Sequence, residues 1–174
     1  GIKRVDRTDQ LQAEVNKLEE EVLVGTRNLV VLRNTLQKTE VDTRNAAVMR
    51  AAIEAGATLV NDVSALGHDP QSVAVVGDAI AAGLDVRAIL MHMQGEPATM
   101  QAAPRYDRPA FDVFDWLERR IQHCVDRGIP RDRLLADPGL GFGKHGAQNI
   151  DILRRFALYR GLGVPLVLGA SRKG

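Results

Sequence analysis

The chain has 174 residues, of which 45% are hydrophobic, so it is long and apolar enough for one globular domain with a packed core. Lysine and arginine (23 residues) balance aspartate and glutamate (22 residues), and the formal net charge of +1 gives no electrostatic reason to expect nucleic acid or a membrane surface as the main partner. The single cysteine cannot form an internal disulfide, and no apolar run approaches the ~20 residues of a membrane span, so we expect a cytoplasmic protein that acts on small molecules.

Residues 1–40 carry a helical pattern. Their apolar side chains follow a four-three spacing that Gly25 interrupts, at Leu11, Val15, Leu18, Val22, Leu29, Leu32 and Leu36. The pattern predicts a helical segment separate from the domain at residues 41–174, either a helix or helical hairpin with coiled-coil character or a helix that covers a barrel. The stretch RNLVVLR within it is also compatible with a strand.

From residue 41 onward, short apolar runs alternate with helical stretches. The apolar runs predict strands at residues 58–61, 86–91, 133–136 and 165–169. Strands that alternate with helices in this way pair in parallel through right-handed crossovers, so the sequence predicts an α/β fold. The polar run QKTE, by contrast, gives no signal of an apolar strand directly before Asp42.

Two of the predicted helices have distinctive features. Asp69 followed by Pro70 has the composition of an N-cap and a first helical position, which predicts a helix from there to Gly83. Residues 112–127 carry one apolar stripe at helical spacing, formed by Phe114, Leu117, Ile121, Cys124 and Val125. We expect this stripe to lie on the sheet, with Cys124 as a packing residue.

Polar side chains collect at the ends of the predicted strands. These residues are Asn61, Asp62, His92, Asp137, Ser171 and Lys173, and Asp42 directly precedes a helix predicted at residues 45–55. Because the carboxyl ends of parallel strands meet at one edge of a sheet, we expect them to converge on a ligand. His92 lies in an apolar run with no histidine or carboxylate at ligand spacing, which favours a core histidine with satisfied hydrogen bonds over a metal ligand. Asp62 is expected to cap the loop that follows it.

The stretch LLADPGLGFGKHGAQN, residues 134–149, looks like a phosphate-binding loop but has the wrong spacing. Pro138 stands where a P-loop has its first glycine, and His145 stands where it has the hydroxyl that binds magnesium. Lys144 takes the place of the last glycine of the dinucleotide-binding fingerprint. The sequence therefore predicts a strand that ends in a carboxylate and a flexible glycine loop, and it leaves Lys144 open between a solvated surface charge and a functional residue.

Four motifs, in this order and spacing, resemble the dihydropteroate synthase family: VDTRNAAVMRAAIEAGATLVNDVSAL, ILMHMQGEPATMQ, LADPGLGFGK and LGASRKG. The resemblance covers residues 41–174 and implies a partial TIM (β/α)8 barrel with about five parallel strands. It also implies a transferase of folate biosynthesis that joins para-aminobenzoate to hydroxymethyl-dihydropterin pyrophosphate and releases pyrophosphate. The open edges of a partial barrel invite pairing with another chain, so we expect a homo-oligomer.

The resemblance also implies roles in pterin binding. Asp137 would accept hydrogen bonds from two donors of the pterin ring, and the Asn61 amide would match a mixed donor and acceptor edge. Lys173 would donate to the ring carbonyl and nitrogen. Asp42 would stabilise the positive charge that develops as pyrophosphate leaves, so Asp42 and Lys173 are the implied catalytic residues.

The aromatic amine would bind next to the pterin. By the same resemblance, Phe142 and the stem of Lys173 would flank para-aminobenzoate, and Ser171 would hydrogen-bond its carboxylate. Mg²⁺ is implied as a cofactor, although the family's asparagine for the magnesium–pyrophosphate end has no counterpart in this sequence.

Two alternatives stay open. One is a pterin-binding methyltransferase domain of the same fold, which shares the aspartate and asparagine contacts to the pterin but has no reason to carry Ser171, Lys173 or the Phe142 loop. The other is a non-catalytic truncated or chimeric portion of the synthase, in which the N-terminal helix drives assembly.

Overall fold

The structure is a computed structural model that describes residues 40–95, 100 and 104–169. The helical segment predicted for residues 1–40 lies outside this part except for its last residue. Two of the predicted site residues, Ser171 and Lys173, also lie outside it.

Within the described residues, the sheet has four parallel strands, and three of them lie at predicted apolar runs. They are β1 (Glu40–Asp42), β2 (Leu59–Asp62), β3 (Arg87–Met91) and β4 (Leu134–Asp137). Their spatial order is β1-β2-β3-β4, the same as their order in the chain. Sequential parallel order with helical crossovers is the arrangement of a (β/α) barrel wall, so the α/β prediction and the partial-barrel prediction are confirmed.

The two ends of this sheet differ from the sequence expectation. Strand β1 forms although polar residues precede Asp42, because its backbone pairs with β2 from Glu40↔Leu59 to Asp42↔Asn61. The last predicted strand, residues 165–169, contributes one parallel bridge, Ala136↔Leu166.

Helices follow the strands along the chain. They are α1 (Ala46–Glu54), α2 (Ser72–Ala81), α3 (Pro109–Val125) and α4 (Gly146–Arg154), with 3₁₀ segments at Arg131–Arg133 and Phe156–Leu162. Helix α3 starts three residues before the predicted helix, with Pro109 in its first turn. Within the described ranges, none of the helices has the length and apolar character that crossing a membrane requires.

The prediction that Asp69 caps α2 is wrong. The N-cap of α2 is Gln71, which makes no side-chain capping bond. The Asp69 carboxylate instead accepts the N–H of Gln71 at 2.9 Å and the N–H of Ala46 at 3.0 Å. Asp69 therefore ties the loop before α2 to the first turn of α1, because the free N–H groups there need acceptors.

The core lies between the helices and one face of the sheet. The α3 stripe is buried as predicted, through Val113, Leu117, Ile121 and Cys124, and Phe114 and Val125 pack against it partly buried. The sheet supplies Val60, Ala88, Leu90, Leu134 and Ala136 to the same cluster. A separate cluster contains Leu59, Ile89, Leu135 and Val167. Because side chains alternate along a strand, this second cluster marks the sheet face that points away from the helices.

We expect Leu117→Ala to lower the free energy of unfolding by about 2–5 kcal/mol, because it removes a fully buried leucine side chain from the α3 stripe and leaves a cavity. Arg119→Ala, on the exposed side of the same helix, is the matched control and should change stability little. Chemical denaturation of both variants measures the difference, and equal effects would contradict the packing of α3 on the sheet.

Candidate functional site

Three predicted site residues lie together at the carboxyl edge of the sheet. Asp42 and Asn61 are register partners on β1 and β2, and Asp137 ends β4 as the partner of Met91. Asn61 follows Leu59 by two residues, and Asp137 follows Leu135 by two. Because side chains alternate, Asn61 and Asp137 project from the face that points away from the helices.

Asn61 and its neighbour Asp62 differ in the hydrogen bonds of their side chains. None of the hydrogen bonds among the described residues involves the Asn61 side-chain amide. Asp62 is fully buried and accepts hydrogen bonds from the N–H and hydroxyl of Ser64, at 2.7 and 2.5 Å, and from the N–H of Leu66 at 3.1 Å. This is the loop-capping role expected for Asp62. It supports a turn in which Ala65 and Leu66 have positive φ angles.

Asp42 is exposed at the end of β1. Partial burial and the nearby Asp62 carboxylate raise the pKa of Asp42, in that order of size. Neither cause supplies a positive charge to the carboxylate, so a cationic group brought close to Asp42 would be stabilised there.

Asp137 is buried at the end of β4. Its Oδ1 accepts the N–H of Gly139 at 2.7 Å. Burial raises the pKa of Asp137 to about 6, although the Gly139 hydrogen bond and the charge of Lys144 oppose the rise. Its Oδ2 faces Gly169, where an added Cβ would lie 3.6 Å away, so the backbone of Gly169 lies directly beside the carboxylate.

The glycine loop after Asp137 is tightly packed, in contrast to the flexible loop that the sequence predicts. Gly139 has a φ of +65°, and a Cβ there would lie 2.1 Å from the carbonyl oxygen of His92. Gly143 has a φ of +61°, and a Cβ there would lie 2.6 Å from the carbonyl oxygen of Gln94. The loop therefore needs glycine at both positions, because its backbone lies against the segment that follows β3.

Lys144 is buried, with only 3% of its surface exposed, so it is not a solvated surface charge. Its Nζ donates to the carbonyl oxygens of Gly139 at 2.8 Å, Phe142 at 2.9 Å and His92 at 3.1 Å. Burial lowers the pKa of Lys144 to about 7, and the Asp137 carboxylate opposes the shift. Only the protonated ammonium has three N–H donors for three acceptors.

His92 is buried as predicted, but its hydrogen bonds are not all satisfied. Its Nδ1 has no hydrogen-bond partner among the described residues. Its ring meets the Trp116 ring edge-on at 4.9 Å and lies 6.0 Å from the Tyr106 ring. Burial and the charge of Lys144 lower the pKa of His92 to about 3. The imidazole is therefore neutral at physiological pH and is held by aromatic packing.

Phe142 lies half-buried in the glycine loop, and Tyr106, which sequence reasoning missed, supports this loop. The Tyr106 hydroxyl donates to the carbonyl of Gly143 at 2.8 Å. The side-chain amide of Gln94 accepts the N–H of Arg105 at 2.6 Å and donates to the carbonyl of Arg105 at 2.8 Å, so it joins the segment after β3 to the segment before α3. The Tyr106 contact joins residues 37 positions apart in the chain, so no local pattern in the sequence indicates it.

Two cavities open near this edge of the sheet. One has a volume of about 250 Å³ and is lined by Arg44, Val63, Ser64, Gly67, His68, Met91, Met93, Gly95 and Trp116. The other, of about 410 Å³, is lined by Thr43, Arg44, Asn45, His68, Asp69 and Pro70. Across residues 40–95, 100 and 104–169, no group of three or more histidine, cysteine, aspartate or glutamate side chains could hold a metal ion.

Comparisons with known proteins agree with the motifs. A family model described as pterin binding enzyme matches residues 8–174, so the similarity also covers most of the N-terminal segment, in which the motifs gave no resemblance. The dihydropteroate synthase of Escherichia coli is 39% identical over 133 residues, which are 76% of this chain and 45% of that protein. The dihydropteroate synthase of Synechocystis is 35% identical over 162 residues, which are 92% of this chain and 54% of that protein.

Solved structures show the same similarity. The dihydropteroate synthase from Xanthomonas albilineans in complex with 7,8-dihydropteroate is 42% identical, with a TM-score of 0.67 over 77% of this chain and 47% of that one. The Yersinia pestis enzyme in complex with a sulfonamide drug is 39% identical, with a TM-score of 0.69 over 77% of this chain and 46% of that one. The chain thus spans about half the length of the relatives it matches. With a family model that covers nearly all of its residues, it belongs to the pterin binding enzyme family.

Proposed function

We propose that the chain forms the pterin and para-aminobenzoate pockets of a dihydropteroate synthase. The observation that carries this proposal is the position of Asp42, Asn61 and Asp137 together at the carboxyl edge of the sheet, in a chain 39–42% identical to proteins of that name. A ligand at this edge is the general arrangement of parallel (β/α) folds.

Asp137 would hold one edge of the pterin. The N–H of Gly139 donates to Oδ1, and this hydrogen bond restrains the orientation of the carboxylate. The remaining lone pairs can accept the amino group and a ring N–H of the pterin in a charge-assisted pair. Asn61, whose amide has no partner among the described residues, would add a donor and an acceptor to the recognition.

Asp42 would act on the reacting carbon. Departure of pyrophosphate leaves positive charge on the pterin methylene, and an exposed carboxylate nearby would stabilise that charge as it forms. The bond between the methylene carbon and the pyrophosphate oxygen breaks, and the amine nitrogen of para-aminobenzoate forms the new bond to the same carbon and then loses its proton.

The amine pocket would form around Phe142. The Phe142 ring is half-buried on the loop next to Asp137, where it can cover an aromatic substrate beside the pterin. Ser171 and Lys173, which the motif LGASRKG places soon after Gly169, would complete the pocket.

Three further features belong to this proposal. Mg²⁺ would accompany the pyrophosphate group, whose oxygens are the ligands that this cation prefers, and none of the steps above depends on it. A homo-oligomer and a cytoplasmic location are proposed on the grounds given by the sequence.

A pterin titration followed by a coupled assay with para-aminobenzoate tests the function: binding with turnover supports the synthase, and binding alone would support a non-catalytic pterin-binding module.

We expect Asp137→Asn to raise the dissociation constant for a dihydropterin ligand by about 10- to 150-fold, which corresponds to the ~1.5–3 kcal/mol of a hydrogen bond to a charged group. Asp115→Asn removes one carboxylate from the exposed face of α3 and is the matched control. Isothermal titration calorimetry measures both, and an unchanged dissociation constant for Asp137→Asn would make Asp137 only a turn residue.

Pterin affinity should also depend on pH through Asp137. The carboxyl has a pKa raised to about 6, and pterin binding needs its ionised form, so affinity is full above this value and falls as pH decreases through it. One proton per site gives a loss of about tenfold per pH unit below pH 6. Titrations between pH 5 and 8 check this, and the same slope in Asp137→Asn would assign the dependence to another group.

Substitution of Phe142 by alanine should raise the Michaelis constant for para-aminobenzoate about tenfold or more and that for the pterin substrate much less, because it removes an aromatic contact that covers only the amine. Steady-state kinetics with each substrate varied in turn provides the measurement. Equal changes in the two constants would contradict the position assigned to the amine.

A further inference from the structure

Lys144 is the only lysine among the described residues, and it is buried beside the proposed site without taking part in it. Burying an ammonium is costly unless its donors are satisfied. The three carbonyl oxygens around Nζ satisfy all three donors. A lysine that faces solvent would keep the hydration of its ammonium and would not pay this desolvation cost. The burial of this charge therefore needs a specific explanation.

The three acceptors belong to two different segments. The carbonyls of Gly139 and Phe142 lie in the glycine loop, whereas the carbonyl of His92 lies directly after β3, 52 residues earlier. The ammonium therefore cross-links the loop after β4 to the end of the neighbouring strand. The close approach of Gly139 and Gly143 to the backbone of His92 and Gln94 shows how tightly these two segments fit together.

Each loop acceptor is joined to one half of the proposed site. The carbonyl of Gly139 accepts a hydrogen bond from Lys144, and its N–H donates to the Asp137 carboxylate, so a single residue connects the ammonium to the proposed pterin-binding group. The carbonyl of Phe142 also accepts a hydrogen bond from Lys144, and this bond fixes the backbone that carries the aromatic ring.

We propose that Lys144 is a positioning residue: its ammonium fixes the glycine loop against the end of β3 and so sets the orientation of Phe142 and of the Asp137 carboxylate for the two substrates. The role of these two groups rests on the proposed function. Lys144 itself touches no substrate, because its three donors are already used by the protein backbone.

Lys144→Met and Lys144→Gln test this inference in the full chain. Methionine keeps a long unbranched side chain without donors, and glutamine keeps two N–H donors on a shorter side chain. Arg50→Met removes one positive charge from the exposed face of α1 and is the control. Hydrogen exchange measured by mass spectrometry should be slowest in residues 138–144 of the wild type, faster in Lys144→Gln and fastest in Lys144→Met. The exchange of the α3 amides should not change.

Kinetics gives the second measurement. In Lys144→Met we expect the Michaelis constant for para-aminobenzoate to rise about tenfold or more, with a smaller fall in kcat, because misplaced positioning groups impair substrate orientation. A large fall in kcat with an unchanged Michaelis constant would overturn the inference, since it would place Lys144 at the reacting atoms. Unchanged exchange in residues 138–144, or equal acceleration across α3, would also overturn it.

The two proposals fail separately. Pterin titration of the wild-type chain tests the proposed function without any substitution, and absent binding would overturn that function. The order of exchange rates among the wild type, Lys144→Gln and Lys144→Met tests only whether Lys144 fixes the glycine loop, and it does not depend on catalysis or on a bound ligand.

Discussion

The junction at Asp137 holds the site together. Its main-chain carbonyl accepts the N–H of His92 at 2.9 Å, which continues the pairing of β3 with β4 beyond the last strand residue. Its side chain accepts the N–H of Gly139 and so starts the glycine loop. One residue therefore connects the sheet, the loop and the proposed ligand, and a shift of Asp137 would move all three together.

The same region contains two buried ionisable groups of opposite charge. Burial raises the pKa of Asp137 and lowers that of Lys144, and each charge partly opposes the shift of the other. Desolvation is thus the larger effect for both groups. A core built only for stability would avoid this cost, since well-packed apolar residues serve at least as well. Strongly shifted carboxyl and ammonium groups at the edge of a parallel sheet are typical of functional sites.

Local patterns in the sequence predicted the parts of the structure that depend on local periodicity. The apolar stripe through Leu117 and Cys124 and the strand runs are of this kind, and the four motifs led to the family. Strand β1 was not predicted from its own residues because it forms by pairing with β2. The contact of Lys144 with His92 and that of Asp69 with Ala46 join residues 52 and 23 positions apart, so no local rule could indicate these two contacts.

The two halves of the proposed site reach rigidity by different routes. Asn61 and Asp137 lie on strands, whose backbone hydrogen bonds fix their positions, and this suits a pterin ring read by hydrogen-bond geometry. Phe142 lies on a loop, where such a ladder is absent. There the Lys144 ammonium and the Tyr106 hydroxyl donate to the carbonyls of Phe142 and Gly143, which belong to consecutive peptide groups. The loop can therefore hold an aromatic side chain in place while keeping the glycine backbone that its close packing requires.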